Sequence, residues 1–181
     1  MLVVAAWKNG GVRELESMSS EDEVVIAEQL GRPPRGVVGV AWRCPCGHPG
    51  VIATKPRLPN GSPFPTFYYL TCPQAVAACS RLEASGLMAE WTAEIARDPH
   101  LARAHHDAHE AYLADRARYG AVPELAGISA GGMPTRVKCL HALLAHALAA
   151  GPGVNELGDE TVRLVGEFWS SPHECARTGE Q

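Results

Sequence analysis

Along the chain, the alternation of apolar and polar positions changes character twice. Residues 1–20 show no clear period and read as a loose lead-in that ends in Ser17, Ser19 and Ser20. Ser20 followed three residues later by Glu23 fits a capping box, in which two side chains satisfy the first N–H groups of a helix. Val24, Val25 and Ile26 supply the apolar positions of this helix, and Gly31, Pro33 and Pro34 stop it. From Gly36 the residues become those of strands: Val37, Val38, Val40, Ala41 and Trp42, then Val51 to Thr54, then Phe67 to Thr71. Pro56, Pro59, Asn60-Gly61, Pro63 and Pro65 make the second connection rigid and irregular rather than a tight hairpin. A small antiparallel sheet is expected.

Beyond Pro73 the period turns helical. Val76, Cys79 or Ser80, and Leu82 form a stripe that Gly86 ends; residues 87–97 and 101–119 continue as helices on either side of Asp98-Pro99. A Gly-rich loop over 127–134 leads into a strong helix over 135–150, closed by Gly151-Pro152-Gly153, and a last helix over 159–169. The pattern predicts an α+β fold, a small sheet packed against a helical majority, in one domain over 21–171 with a polar tail over 172–181.

Composition agrees with a packed domain. The 181 residues are 46% hydrophobic and 20% charged, enough for one core and too apolar for disorder. A net charge of -4 argues against nucleic acid as a partner. The apolar run Leu2 to Trp7 is too short for a secretory segment, and no run reaches the roughly 20 apolar residues that span a bilayer. The expectation is a soluble cytoplasmic protein without membrane insertion, whose cysteines stay reduced and act as ligands or nucleophiles. The charge is uneven, however. Gln29 through Leu82 contains no Asp or Glu but holds Arg32, Arg35, Arg43, Lys55, Arg57 and Arg81, together with Cys44, Cys46, Cys72 and Cys79. Such a field suits a small anion and makes Arg35, Arg43 and Arg57 candidate contacts, unless these cations pair with acids such as Glu83, Glu90, Glu94 or Asp107.

Three segments carry candidate ligands. Arg43-Cys44-Pro45-Cys46-Gly47-His48-Pro49 is a Cys turn ending in Gly, as in metal knuckles, although one residue separates its cysteines where two are usual. Thr71-Cys72-Pro73 places a thiol at a helix start, near the positive end of the dipole. In Arg136-Val137-Lys138-Cys139-Leu140-His141 with His146, a helix running through 139 would put Cys139 and His146 on one face; a helix beginning only near Leu140 would instead let His141 join Cys139 at its entrance. A site drawn from Cys44, Cys46, Cys72 and Cys139, with His141 or His146, would pin the sheet to the helix. Thiolates suit zinc or an iron-sulfur cluster, and zinc is preferred because it needs no assembly machinery; ordinary buried thiols without metal are the alternative. Cys79, in an apolar stripe, and Cys175, in the tail, are left out.

Gly127-Ile128-Ser129-Ala130-Gly131 matches the nucleophile-elbow pattern, and Asp159 and His173 follow in the right order. The segment before it is a poor strand, though, and Gly132-Met133-Pro134 delays the helix, so a loop that caps a helix is the expected reading. The loop could present backbone N–H groups to an anion beside Arg136 and Lys138. His105, His106 and His109 read as a solvated helix face, and Phe64, Phe67, Tyr68 and Tyr69 as core aromatics.

Together, Gln29-Leu30-Gly31-Arg32, the Cys44 turn, Pro63-Phe64-Pro65-Thr66 through Cys72-Pro73, Gly127 through Met133, Val137-Lys138-Cys139-Leu140-His141, Ala145-His146 and Gly153-Val154-Asn155 resemble the bacterial domain-of-unknown-function family 501, known mainly from actinobacteria, over residues 22–169. The resemblance implies a stand-alone cytoplasmic protein, often encoded near a septum-formation initiator and an exopolyphosphatase, and no established activity. It also implies that the position of Cys46 varies, which shifts weight to Cys44, Cys72 and Cys139. Arg136, Lys138 and Asn155 are then the first choices for contact with a substrate. The leading expectation is a Cys/His metal site beside a basic face, acting on a small anionic substrate. Its rival is a structural or regulatory module with a cell-division or polyphosphate-related partner.

Overall fold

Ser19, one residue earlier than the pattern suggests, caps the first helix in the computed structural model, which describes residues 14–166. Its hydroxyl accepts from Asp22 N–H, and the Asp22 carboxylate accepts from Ser19 N–H, so the capping box closes on Asp22 rather than Glu23. Helix α1 (Ser20–Leu30) ends at Gly31, whose φ of 65° is the left-handed cap that glycine adopts without strain. Three strands follow, β1 (Val37–Arg43), β2 (Pro49–Thr54) and β3 (Tyr68–Leu70), in an antiparallel sheet of order β1-β2-β3. The expected sheet is thus present. Within the stretch read as a lead-in, Glu16 pairs with Val40 on the outer side of β1.

Every residue of the central strand β2 is buried, so the sheet must be covered on both faces. Val51 and Ala53 join the main core, whereas Ile52 and Thr54 line a small cavity with Leu30 of α1. Helices α2 (Pro73–Glu83), α3 (Leu87–Arg97), α4 (Pro99–Ala117), α5 (Leu140–Ala150) and α6 (Glu156–Val165) complete the helical majority, with a 3-10 turn at Pro123–Leu125. Helix α4 begins two residues before expectation because Asp98 caps it and Pro99 tolerates its first turn. The last helix starts at Glu156, capped by Asn155, and the part expected at 167–169 lies outside the described residues, as does the polar tail.

Helix α5 is the centre of the packing. All its residues except His141 and Ala150 are buried, as expected of a helix apolar on every side. It contacts the sheet, α2 and α6. Helix α6 lies close against it at Gly158, where a Cβ would sit 2.6 Å from the Leu143 carbonyl oxygen. Phe67, Tyr68 and Tyr112 cluster against this helix, and the Tyr112 hydroxyl accepts from the N–H groups of Phe67 and Tyr68. Of the four expected core aromatics, Phe67 and Tyr68 are buried and Phe64 and Tyr69 half-buried.

His146 lies within this cluster, 0% exposed, stacked on Tyr68 with ring centroids 5.8 Å apart and edge-on to Tyr112. Its Nδ1 accepts from the Asn155 amide at 3.1 Å, and its Nε2 has no hydrogen-bond partner. Burial without a counter-charge lowers its pKa from 6.5 to about 4. Between those values the unfolded chain takes up a proton that the folded one refuses, so stability from this group is lost as pH falls from 6.5 to 4, by about 3 kcal/mol in all. Urea unfolding of the wild type and His146→Phe at pH 7 and pH 4 should show the variant gaining about 3 kcal/mol relative to wild type on acidification. Parallel behaviour of the two proteins would contradict a neutral, buried His146.

Candidate functional site

The chemistry of the site follows from where α5 begins. The pattern predicts a helix from residue 135, but the N–H groups of Arg136, Val137 and Lys138 are taken by Gly132 O, Thr92 Oγ1 and Gly131 O. The backbone is still extended at Cys139, with φ -157°, so the first helical residue is Leu140 and Cys139 is the N-cap, with no side-chain cap of its own. The loop needs glycine for this close turn: a Cβ at Gly132 (φ 94°) would lie 2.8 Å from Arg136 O.

The missing cap comes from another helix. Glu83, in the last turn of α2, accepts from Leu140 N–H at 2.7 Å and from His141 Nδ1 at 3.0 Å through the same carboxylate oxygen. The other ring nitrogen, Nε2, donates to the Val76 carbonyl at 3.1 Å, with Ser80 Oγ at 3.4 Å. The late helix start therefore places His141 beside Cys139. One ligand atom each from Glu83, Cys139 and His141 lies within 4.8 Å of the others, the one such group of three or more His, Cys, Asp or Glu among the described residues. The Cys139 side chain first, and then the Glu83 carboxylate, push the pKa of His141 up to about 9 against the cost of burial. Without metal, both ring nitrogens carry protons.

Cys139 and His141 open onto a cleft of about 760 Å³. Tyr68, Tyr69 and Leu70 of β3 form one side, and the loop from Gly127 to Met133 forms another. Arg136 and Lys138 line it with exposed side chains, giving the cleft a positive wall.

The remaining expected ligands are placed elsewhere. Cys44 is buried at the end of β1, where its N–H meets His48 O; Cys46 is exposed on the following turn; Cys72 is buried just before α2. None of these, nor His146, belongs to the Glu83, Cys139 and His141 group. Cys79 is buried and its pKa is raised to about 12, chiefly by desolvation, which fits a packed thiol. Cys175 lies outside the described residues.

Among the candidate anion contacts, Arg136 and Lys138 alone line this cleft. Arg43 is held by both Asp22 oxygens, at 2.8 and 3.0 Å, and by Glu16 at 2.7 Å, which keeps the Asp22 carboxyl well below the usual carboxylate range. Arg57 forms a fork with Glu124. Two of the six cations of the acid-free block are thus paired with acids outside it, and these acids are not Glu83, Glu90, Glu94 or Asp107. Arg35 lines the small cavity beneath α1, and Asn155 is buried in capping α6.

The expected solvated histidine face is corrected at two positions. His105 and His109 are buried, His106 is exposed, and desolvation lowers the pKa of both buried rings. His105 Nε2 donates to Arg136 O at 3.2 Å, while His109 Nδ1 lies 2.8 Å from Ser129 Oγ. No strand or helix flanks Ser129, so it is not on an elbow, and the Asp159 carboxylate is occupied by Gly153 N–H. His173 lies outside the described residues.

Glu83 entered the sequence reading only as an Arg partner. Its signal was its position: a carboxylate in the last turn of a helix opposes the dipole, which suggests service to another element.

No curated protein and no solved structure matches the chain. The family model described as Protein of unknown function (DUF501) matches residues 40–163, which include Glu83, Cys139, His141 and the whole wall of the cleft. The chain belongs to this DUF501 family of proteins of unknown function.

Proposed function

We propose that Glu83, Cys139 and His141 hold a zinc ion at one end of the cleft, and that a small anionic substrate binds between it and the Arg136 and Lys138 wall. The observation that carries the reading is the convergence of one oxygen, one sulfur and one nitrogen ligand within 4.8 Å at the edge of a cleft. A mixed set of this kind suits zinc, whereas iron-sulfur clusters are held mainly by several thiolates and this group has a single cysteine. The surroundings fit as well. His141 would bind through Nδ1 while Nε2–H remains on the Val76 carbonyl, the outer hydrogen bond that orients most metal-bound imidazoles.

Three protein ligands leave a fourth position, the mark of reactive rather than structural zinc sites. Bound zinc would supply Lewis acidity at that end of the cleft. The chain's own groups would do the rest: Arg136 and Lys138 hold the negative group of the substrate, Glu83 keeps both its ligand oxygen and the start of α5 in place, and Val76 O fixes the imidazole ring. Exposed cations of this kind give moderate, salt-sensitive affinity.

Protein purified without oxygen should contain about one zinc per chain, as expected for one site. Cys139→Ser and Glu83→Gln should each weaken zinc binding by roughly 10-fold or more, and Cys46→Ser should leave it unchanged. Competition with a fluorescent chelator measures this; a folded wild type that binds no zinc, or a Cys46→Ser loss equal to that of Cys139→Ser, would overturn the assignment. Titration of the zinc-loaded protein with inorganic phosphate should show binding that Arg136→Ala together with Lys138→Ala reduces by about 10-fold, since two charge-assisted contacts are removed. Equal affinity in the double variant would place the anion elsewhere.

A further inference from the structure

We propose that Ser129 is a nucleophile for acyl transfer in the same cleft, with His109 of α4 as its general base, an activity that goes beyond the zinc reading and does not depend on it. The geometry is specific. Ser129 Oγ lies 2.8 Å from His109 Nδ1, within the reach that nucleophile and base require, while its next neighbour, Met133 O, is at 3.4 Å. The direction of the hydrogen bond decides whether the hydroxyl is activated, and a second contact bears on it. In the proposed state the ring proton sits on Nε2, the nitrogen that faces the Glu110 carboxylate at 3.9 Å, and Nδ1 accepts from Ser129 O–H. His109 is 5% exposed, and desolvation favours its neutral form, the form that can take a proton.

Ser129 is half-buried and lines the cleft, so a ligand there can reach its oxygen. Arg136 and Lys138 line the same cleft and select the substrate class: a small carboxylic ester that also carries a carboxylate or phosphate group. In the first step the Ser129 hydroxyl proton passes to His109 Nδ1 while Oγ bonds to the ester carbonyl carbon, and the carbonyl electron pair moves onto its oxygen. Return of that pair breaks the bond to the alcohol oxygen, which takes the proton from His109. A water molecule, deprotonated by His109 in the same way, then cleaves the acyl group from Oγ and the proton returns to Ser129. Ester and water give acid and alcohol, with no oxidant or reductant.

The sequence motif around Ser129 pointed to this chemistry through a different frame, an elbow completed by Asp159 and His173. The base in the fold instead lies twenty residues before the serine. It was hidden in what read as a solvated His cluster.

Treatment of the full-length protein with a fluorophosphonate carrying a fluorophore tests the proposal, because such probes phosphonylate an activated serine by displacing fluoride. Peptide mass spectrometry should find the label on Ser129, Ser129→Ala should abolish it, and His109→Gln should slow it by roughly 100-fold or more. Ser129 is a partly exposed loop residue, so Ser129→Ala carries the test alone should His109→Gln fail to fold by circular dichroism. A folded wild type that does not label, labels at another residue, or labels equally fast in folded His109→Gln overturns the proposal. Labelling of the wild type in the presence of a chelator should match labelling without it; loss there would contradict an activity independent of zinc. Absence of zinc with Ser129 labelled removes the metal reading alone, and bound zinc with Ser129 unlabelled removes this one alone.

Discussion

One carboxylate oxygen, Glu83 Oε1, caps the start of the central helix of the molecule. Helix α5 provides no side-chain cap from its own N-cap residue, and three backbone donors before it are drawn into the Gly131 and Gly132 loop and onto Thr92. The Leu140 N–H would be left without its cap if Glu83 did not accept it, and a buried unsatisfied donor costs about 1–3 kcal/mol. The same oxygen receives His141 Nδ1. A requirement of folding, capping a buried helix, thereby assembles a group of three reactive side chains at the edge of a cleft.

The arrangement also explains an electrostatic oddity. A carboxylate at the C-terminal end of α2 is disfavoured by that helix, yet it faces the N-terminal end of α5, whose dipole favours it. His141 adds a positive partner with both ring nitrogens engaged. Deeper along the same helix, His146 stays neutral among aromatic rings. Two histidines five positions apart on one helix are thus set to opposite charge states, by the Cys139 side chain and the Glu83 carboxylate in one case and by burial without a counter-charge in the other.

Much of the fold was legible because it rests on local chemistry. The Val-rich runs, the proline-rich connection, Gly31 and Asp98-Pro99 identify strands and helix ends within a few residues. The start of α5 was not, because its apolar period continues smoothly through residues that the Gly131-Gly132 turn and Thr92 hold outside the helix. The site was legible in part. Cys139 and His141 were read as neighbours on the condition that the helix starts late, and that condition holds. Glu83 and His109 lie on other helices and carry no local motif, so only the tertiary arrangement joins them to Cys139 and Ser129. The acid-free block looked like an anion site because Glu16 and Asp22, which pair with Arg43, precede it in sequence and Glu124, which pairs with Arg57, lies forty-two residues beyond it.

X-ray absorption at the zinc edge of the reconstituted protein reads directly whether one thiolate, one nitrogen and one oxygen donor hold the metal, as proposed. The expected spectrum has a single sulfur neighbour at about 2.3 Å with the remaining scatterers at about 2.0–2.2 Å. A shell of two or more sulfurs would contradict a site with Cys139 as its one thiolate, and a shell without sulfur would exclude Cys139 as a ligand.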